Sequence, residues 1–304
     1  MPDALSEVLA ELRLSGVSYC RTELTAPWGI AIPAEEGAVF HFVAEGACWL
    51  RTASLPPQRL VAGDMVLLPR GTGHALVDAP DRAARPVRAL SREPIGERAF
   101  RLRGGGGGAG ALLVCCDLGF EHSSVHPLLQ LMPEVLLVRA ADASDPSLVM
   151  LLGTMAAELA AQRIGGATVM ARLADAILTR VIRGWVEARA GETTGWLAAI
   201  RDPQIGGALA AIHRRPEHAW SVTALAEVAG MSRSLFSERF TAVVGSSPAH
   251  YVARWRMHLA QTWLRAGRVS EVAARLGYQS EAAFSRAFKR AVGRAPSTLR
   301  SSVG

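Results

Sequence analysis

The 304-residue chain is short of several things, and each shortage excludes something. No apolar run reaches the roughly 18 residues that a membrane-spanning helix needs, so no membrane partner is expected. The N-terminus, MPDALSEVLAELRLSG, carries acids and no basic n-region, which argues against a secretory signal peptide. Cysteine is scarce. Four thiols without regular spacing suit a reducing cytoplasm better than a disulfide framework, so a cytoplasmic location is expected. Lysine is nearly absent, the basic residues being almost all arginine. With abundant alanine and glycine, that reports on codon usage and not on function.

What is present is a globular composition. Half of the residues are hydrophobic, and the length leaves room for two domains with real cores. Charge is uneven. From residue 200 onward there are 15 basic and 6 acidic residues, against 18 and 21 in the rest of the chain. A basic C-terminal third on a mildly acidic body suggests a polyanion as partner for that third, the alternative being a solvated arginine-rich surface.

The same third contains an internal repeat. LAEVAGMSRSLFSERFTAVVGSSP (225–248) aligns with VAARLGYQSEAAFSRAFKRAVGRAP (272–296). Gly230 matches Gly277, and Met231 matches Tyr278. After one inserted residue, Phe236 matches Phe284, Phe240 matches Phe288, Gly245 matches Gly293 and Pro248 matches Pro296. Each copy reads as a short helix, a glycine turn and a second helix. Leu225, Val228 and Ala229 stripe the first helix, Gly230 ends it, and Ser232 caps the next. In the second copy Phe284, Ala287, Phe288 and Ala291 follow helical spacing and face inward. This is the helix-turn-helix pattern. AHYVARWRMHLAQTWLRAGR joins the copies as a long amphipathic helix with Val252, Trp255, Leu259 and Leu264 as its core face. So joined, the two second helices would enter successive major grooves of double-stranded DNA; a helical bundle that binds no DNA is the alternative.

These residues resemble the AraC/XylS family of bacterial transcription regulators over roughly residues 200 to 300. The resemblance implies a seven-helix DNA-binding domain whose first helix lies in IRDPQIGGALAAIHRRPEHAWSV. Outward residues of the first recognition helix are Arg233, Ser234, Ser237 and Glu238; those of the second are Ser280, Glu281, Ser285, Arg286 and Lys289. Arginine can pair with guanine through two hydrogen bonds, and glutamate can accept from cytosine N4. Glu238 departs from many relatives, which carry a basic residue there, and Arg239 could take over a phosphate contact. Arg254, Arg256 and Lys289 are expected to grip phosphate, which sets affinity and salt dependence.

The N-terminal part is different material. GAVFHFVAEGACWLRT and PQRLVAGDMVLLPRGTGHALV alternate apolar and polar residues between glycine and proline breaks, so they read as short strands. GDMVLLPRGTGH, with Gly63, Pro69, Gly71 and His74, resembles the second motif of the cupin barrel, and HFVAEG resembles the hairpin that ends the first. The usual His-x-His and Glu ligands before it are missing, so a complete mononuclear metal site of the common kind is not implied. The resemblance covers about residues 15 to 120 and points to a subgroup of AraC-type regulators with a cupin-type sensor.

In that subgroup a cysteine stands at the place of Cys20, and His41, His74 and Cys115 complete a set at places similar to those in relatives. Three readings stay open. A thiol pair, Cys20 with Cys115 or Cys116, could oxidise. The set Cys20, His41, His74 and Cys115 could hold Zn²⁺ or copper. The cysteines could also be small hydrophobes inside strands, with His74 capping a turn. Cys115 and Cys116 point to opposite faces of a strand, so at most one joins an interior site.

GGGGGAG (104–110) is expected to be a flexible insertion between strands, with no phosphate-binding context. SLVMLLGTMAAELAAQRI and ATVMARLADAILTRVIRGWVEARA read as two amphipathic helices. Met150, Leu151, Met155 and Leu159 line the first; Leu173, Ile177, Val181 and Trp185 line the second. Relatives dimerise through helices at this position; packing on their own barrel is the alternative. EARAGETTGW reads as the interdomain linker.

The expected class is α+β, with a cupin-like barrel over 1–135, helices and linker over 136–192, and an all-α tandem helix-turn-helix domain over 193–304. The expected function is a homodimeric, sequence-specific transcription regulator and not an enzyme, its barrel answering to an unidentified small molecule, metal or oxidant. A metal-dependent cupin enzyme and a DNA-binding protein without sequence choice are the alternatives.

Overall fold

The computed structural model describes residues 14–120, 127–142, 145–189, 195–264 and 267–302, with Leu5, Ser6, Leu9, Leu12 and Gly191 besides. The chain divides into two compact units, one over 13–184 and one formed by the remainder. No helix among the described residues is long and apolar enough to cross a membrane.

In the first unit, the alternating segments become two sheets. The larger runs β12 (Leu136–Val138), β6 (Met65–Leu68), β3 (Ala38–Glu45), β11 (Gly110–Phe120), β1 (Leu14–Thr25), β10 (Ala99–Gly105) and β9 (Arg92–Gly96). The smaller runs β5 (Gln58–Val61), β4 (Ala47–Thr52), β7 (His74–Val77), β2 (Gly29–Ile32) and β8 (Arg85–Pro86). Both sheets contribute to one buried cluster: Leu24, Val43, Val66 and Leu113 from the larger, Ile30, Leu50, Leu60 and Leu76 from the smaller. Alternation along each strand sends every second side chain into it.

Three expectations change here. HFVAEG is a corner and not a hairpin: β3 pairs with β11 and β6, whereas β4 pairs with β5 and β7. The chain changes sheets at Gly46, where φ is +78° and a Cβ would overlap the Gly110 carbonyl. The larger sheet also extends past residue 135, because Leu136–Val138 pairs with β6. Three residues are too few to show a period of two. The glycine run, finally, is a bonded strap and not a loose insertion. β10 and β11 flank β1 on its two sides, so their connection must cross the end of β1. It does so closely: Gly106 N–H donates to the Thr25 carbonyl (2.9 Å), Gly107 N–H to Thr25 Oγ1 (2.9 Å) and Gly108 N–H to the Ala26 carbonyl (2.8 Å). A Cβ on Gly105 would overlap the Thr25 carbonyl, so the run is glycine because a backbone passes there.

Helices follow: α1 (Pro127–Leu131), α2 (Pro146–Ala161) and α3 (Gly166–Ala188). Asp145 caps α2, accepting from Ser147 N–H at 3.1 Å, and pairs with Arg180 of α3. α2 lies on β1 and β3 through Leu148, Leu152, Met155 and Leu159. Met150, placed on the inward stripe by sequence, is 66% exposed, and Leu151 is half-buried. This helix is apolar nearly all round, so spacing alone does not single out one face. In α3, Ile177, Val181 and Trp185 are buried as expected, whereas Leu173 is half-buried.

The second unit is helical, with α4 (Trp196–Arg201), α5 (Pro203–Arg214), α6 (Val222–Val228), α7 (Arg233–Val244), α8 (Pro248–Trp263), α9 (Val269–Arg275) and α10 (Glu281–Val292). The linker stretch lies partly outside the described residues, at 190 and 192–194. Seven α-helices are found among its described residues, as expected, but the segment expected to supply the first supplies the second, α5, because α4 precedes it from Trp196 and ends at Asp202. Asp202 caps α5, accepting from Gln204 and Ile205 N–H, with Pro203 at the first helical position. The repeat is reproduced at its turns, caps and phenylalanines, whereas Val228 and Ala291, placed inward by spacing, are exposed. Gly230 and Gly277 have φ +64° and +75°, and Gly245 and Gly293 have +79° and +83°. Ser232 and Ser280 cap α7 and α10 by accepting from Leu235 and Ala283 N–H. Phe236 and Phe240, like Phe284 and Phe288, are fully buried, with ring centroids 5.4 and 5.7 Å apart. Val252, Trp255 and Leu259, the predicted core face of α8, are buried, as is Leu264 just past its end.

Candidate functional site

Two places carry chemistry. The first is the outer surface of α7 and α10. Burial of the paired phenylalanines turns the opposite face of each helix to solvent. Arg233, Ser234 and Glu238 are exposed on α7, and Ser237 is half-buried. Glu281, Arg286 and Lys289 are exposed on α10, and Ser285 is half-buried. Ser280 is exposed, but its hydroxyl accepts from Ala283 N–H at 3.1 Å and serves as a cap. Under the 48-residue offset that aligns Phe236 with Phe284, Arg233 stands where α10 has Glu281, and Glu238 where α10 has Arg286. The two helices therefore share one buried face and have opposite charge order on the outer one. Glu281 suits the positive end of its helix; Arg233, in the first turn of α7, opposes it.

Flanking arginines differ in what they hold. Arg254 on α8 is exposed. Arg239 is tied within the unit, donating to Asp202 Oδ2 at 2.6 Å and Gln204 Oε1 at 3.0 Å. Arg256, expected to grip phosphate, is half-buried and donates to the carbonyls of Pro216 (2.6 Å), His218 (2.8 Å) and Glu217 (3.4 Å). Its Nε and Nη2 donors are thus directed to the protein's own backbone, and only Nη1 stays outside these bonds. The sequence shows no sign of this, because the acceptors are backbone atoms some 40 residues away.

The second place is a cavity of about 340 Å³ between the sheets. Its polar wall is a row across three adjacent strands. Cys20 on β1 is the register partner of Cys115 on β11, and Cys115 is the partner of His41 on β3. Thr22 Oγ1 lies 3.5 Å from Cys20 Sγ and 3.8 Å from Cys115 Sγ. Ile30, Leu76 and Leu102 form the apolar side, and Glu35, Arg92 and Asp117 add charge. Thr22 and Asp117 were missed in the sequence, although each stands two residues from a chosen cysteine and so on the same strand face. Cys115 is the member of its pair that faces the cavity. Cys116 faces α2, with its Sγ 4.0 Å from Met155 Sδ.

The histidines form a buried pair, with His41 Nε2 and His74 Nε2 2.7 Å apart. His74 Nδ1 lies 2.7 Å from the Thr72 carbonyl, which only accepts, so Nδ1 carries the proton. Burial holds both rings below the ordinary histidine range and therefore neutral. His74 then accepts at Nε2, His41 donates from Nε2, and His41 Nδ1 is left as a buried acceptor without a partner. Burial also pushes the Cys20 thiol up and the Cys115 thiol well up, so both are protonated at neutral pH. Among the described residues no three His, Cys, Asp or Glu side chains converge to hold a metal ion. Zn²⁺ or copper would need three or four donors on one point. The set drawn from sequence is instead two pairs, Cys20 with Cys115 on adjacent strands of the larger sheet and His41 with His74 of the smaller sheet, and it does not fit such an ion as folded.

Both units have relatives among known proteins. A cupin family model matches residues 3–187, and a helix-turn-helix domain model matches residues 225–302. An AraC-like transcription regulator of Streptomyces antibioticus is 32% identical, and one of Streptomyces lividans 30%; each alignment covers 98% of this chain and 98% of the relative. The RCS-specific transcriptional activator RclR of Escherichia coli (strain K12) is 25% identical, over 99% of this chain and 98% of its own.

Proposed function

This chain belongs to the AraC-type transcription regulators that carry an N-terminal cupin domain, and from that premise we propose how it works. The helical unit binds a two-part promoter site with α7 and α10, each in a major groove. The observation that carries this reading is the pair of capped helices with identical buried faces and exposed polar ridges. Their reversed charge order means that the two parts of the site differ in sequence. Arg286 suits a guanine and Glu238 a cytosine.

The barrel acts as the sensor, and the cavity behind Cys20, Cys115 and His41 is where the signal is received. One reading is a small effector that donates a hydrogen bond to His41 Nδ1. The other is an oxidant that joins Cys20 and Cys115, which the register sets opposite each other. Either shifts the protein only as far as it favours one state over the other. The dimer uses the outer face of α2, where Val149 and Met150 are exposed on a helix that is apolar on both sides. Met150→Asp is then expected to give monomers in sedimentation, with the fold retained.

Footprinting of the purified protein on genomic fragments tests the reading. The expected result is discrete protection over two turns of DNA that survives competitor DNA at moderate salt. Equal competition by random DNA would replace the regulator with a protein that binds without sequence choice. A substrate turned over by the purified barrel would favour the cupin enzyme.

A further inference from the structure

One residue outside the recognition helices ties the two helix-turn-helix units together. Arg256 sits in α8, the helix that joins them, and its donors are directed to the loop between α5 and α6, at the entrance of the first unit. The second unit presses on the same loop. At Gly277, the turn glycine between α9 and α10, φ is +75° and a Cβ would overlap the Glu217 carbonyl. The neighbouring Tyr278 ring has its centroid 5.8 Å from the Arg256 guanidinium carbon. One loop, residues 216–218, is therefore held by α8 through a guanidinium and met by the second unit through a glycine.

We propose that Arg256 is a positioning residue that sets the spacing of the two recognition helices and makes no DNA contact of its own. Three carbonyls in different directions need several donors in a planar fork. Arginine supplies these and lysine does not. The consequence is thermodynamic. With both helices held at the right separation, binding by the first makes binding by the second effectively intramolecular. A loosened loop leaves each helix able to read its own half but weakens the two together. The proposal rests on the two-part site described above.

The test uses the full-length protein with Arg256→Met and Arg256→Lys. DNA targets are the footprinted site, the same site with one half scrambled, and versions with one or two base pairs inserted between the halves. Wild type should lose affinity sharply on insertion. Both variants should bind the intact site about tenfold or more weaker and the half-scrambled site as wild type does. They should also discriminate less against the insertions, with the slope of log K against log salt unchanged. Arg256→Lys keeps the charge and guards against a variant that merely misfolds, with thermal unfolding as the check. Should the slope fall by about one phosphate contact in Arg256→Met, with spacing preference intact and Arg256→Lys near normal, Arg256 is a phosphate ligand and the proposal is wrong. Wild-type protein that cannot tell the intact site from random DNA overturns the two-part site itself, and this inference with it.

Discussion

Cys20 and Cys115 face each other across neighbouring antiparallel strands, with the Thr22 hydroxyl within 3.5 Å of the first sulfur and 3.8 Å of the second. Directly opposed residues in such a pair have Cα atoms about 4.5–5.5 Å apart, within the range a disulfide spans. Mild oxidant is expected to remove two thiols, each giving up a proton and one electron to the oxidant as the S–S bond forms. Peptide mapping should find Cys20 joined to Cys115. Cys116→Ser should leave that product unchanged, and Cys20→Ser should abolish it. Since burial raises both thiol pKa values, the rate should climb as pH rises above neutral. A Cys20–Cys116 peptide would contradict the strand facing.

The helical unit should lose stability in acid. His213 on α5 stacks on Trp255 (4.1 Å between centroids), and His258 stacks on the same indole at 5.0 Å. Burial lowers His213 from 6.5 to about 3 and His258 from 6.5 to about 4. In each case the unfolded chain binds the proton first. Their contribution is therefore complete above about pH 6.5 and is lost as pH falls through the window down to 4 and 3. Urea unfolding across that range should show a falling midpoint, and His213→Gln should flatten the fall. A midpoint independent of pH between 6.5 and 4 would mean that other groups compensate.

Gly105→Ala should destabilise the barrel by on the order of 2 kcal/mol or more, since φ is +119° and the added carbon would overlap Thr25. Gly107, with open space around it, should tolerate alanine far better despite its positive φ. Equal unfolding midpoints for the two variants would show that the strap shifts off β1 freely.

Arg233 and Arg286 separate function from stability. Arg233→Glu relieves a cation at a helix N-terminus and is expected to stabilise the unit by about 0.3–1 kcal/mol while weakening DNA binding. Arg286→Ala is expected to cost about 1–3 kcal/mol of specific binding and to relax choice at one base of one half-site. Gel-shift titration beside thermal unfolding reads both. Unchanged affinity in Arg286→Ala would remove that residue from the readout.

The helical unit was legible in the sequence because its signals are local and duplicated. Glycines at turns, serines at caps and phenylalanines four apart each have one physical use, and the structure reproduces all of them. The barrel strands were legible as short apolar runs between glycine and proline breaks, with β3, β6 and β7 buried on nearly every residue and not on alternate ones. What escaped depends on pairing between distant segments. Nothing local distinguishes a corner from a hairpin at Gly46, or says that a glycine run lies against β1. Arg256 looked like any exposed arginine because its acceptors are carbonyls of another segment. Cys20, His41 and Cys115 line one cavity and His74 meets His41 from the other sheet; strand order, which the sequence does not show, makes them two pairs.

Strand β11 is a wall one peptide thick, with a thiol on each side of it. Cys115 looks into the barrel and Cys116 rests under Met155 of α2. Consecutive residues cannot move independently. A backbone shift of β11 at the inner thiol therefore also moves the seat on which the helix lies.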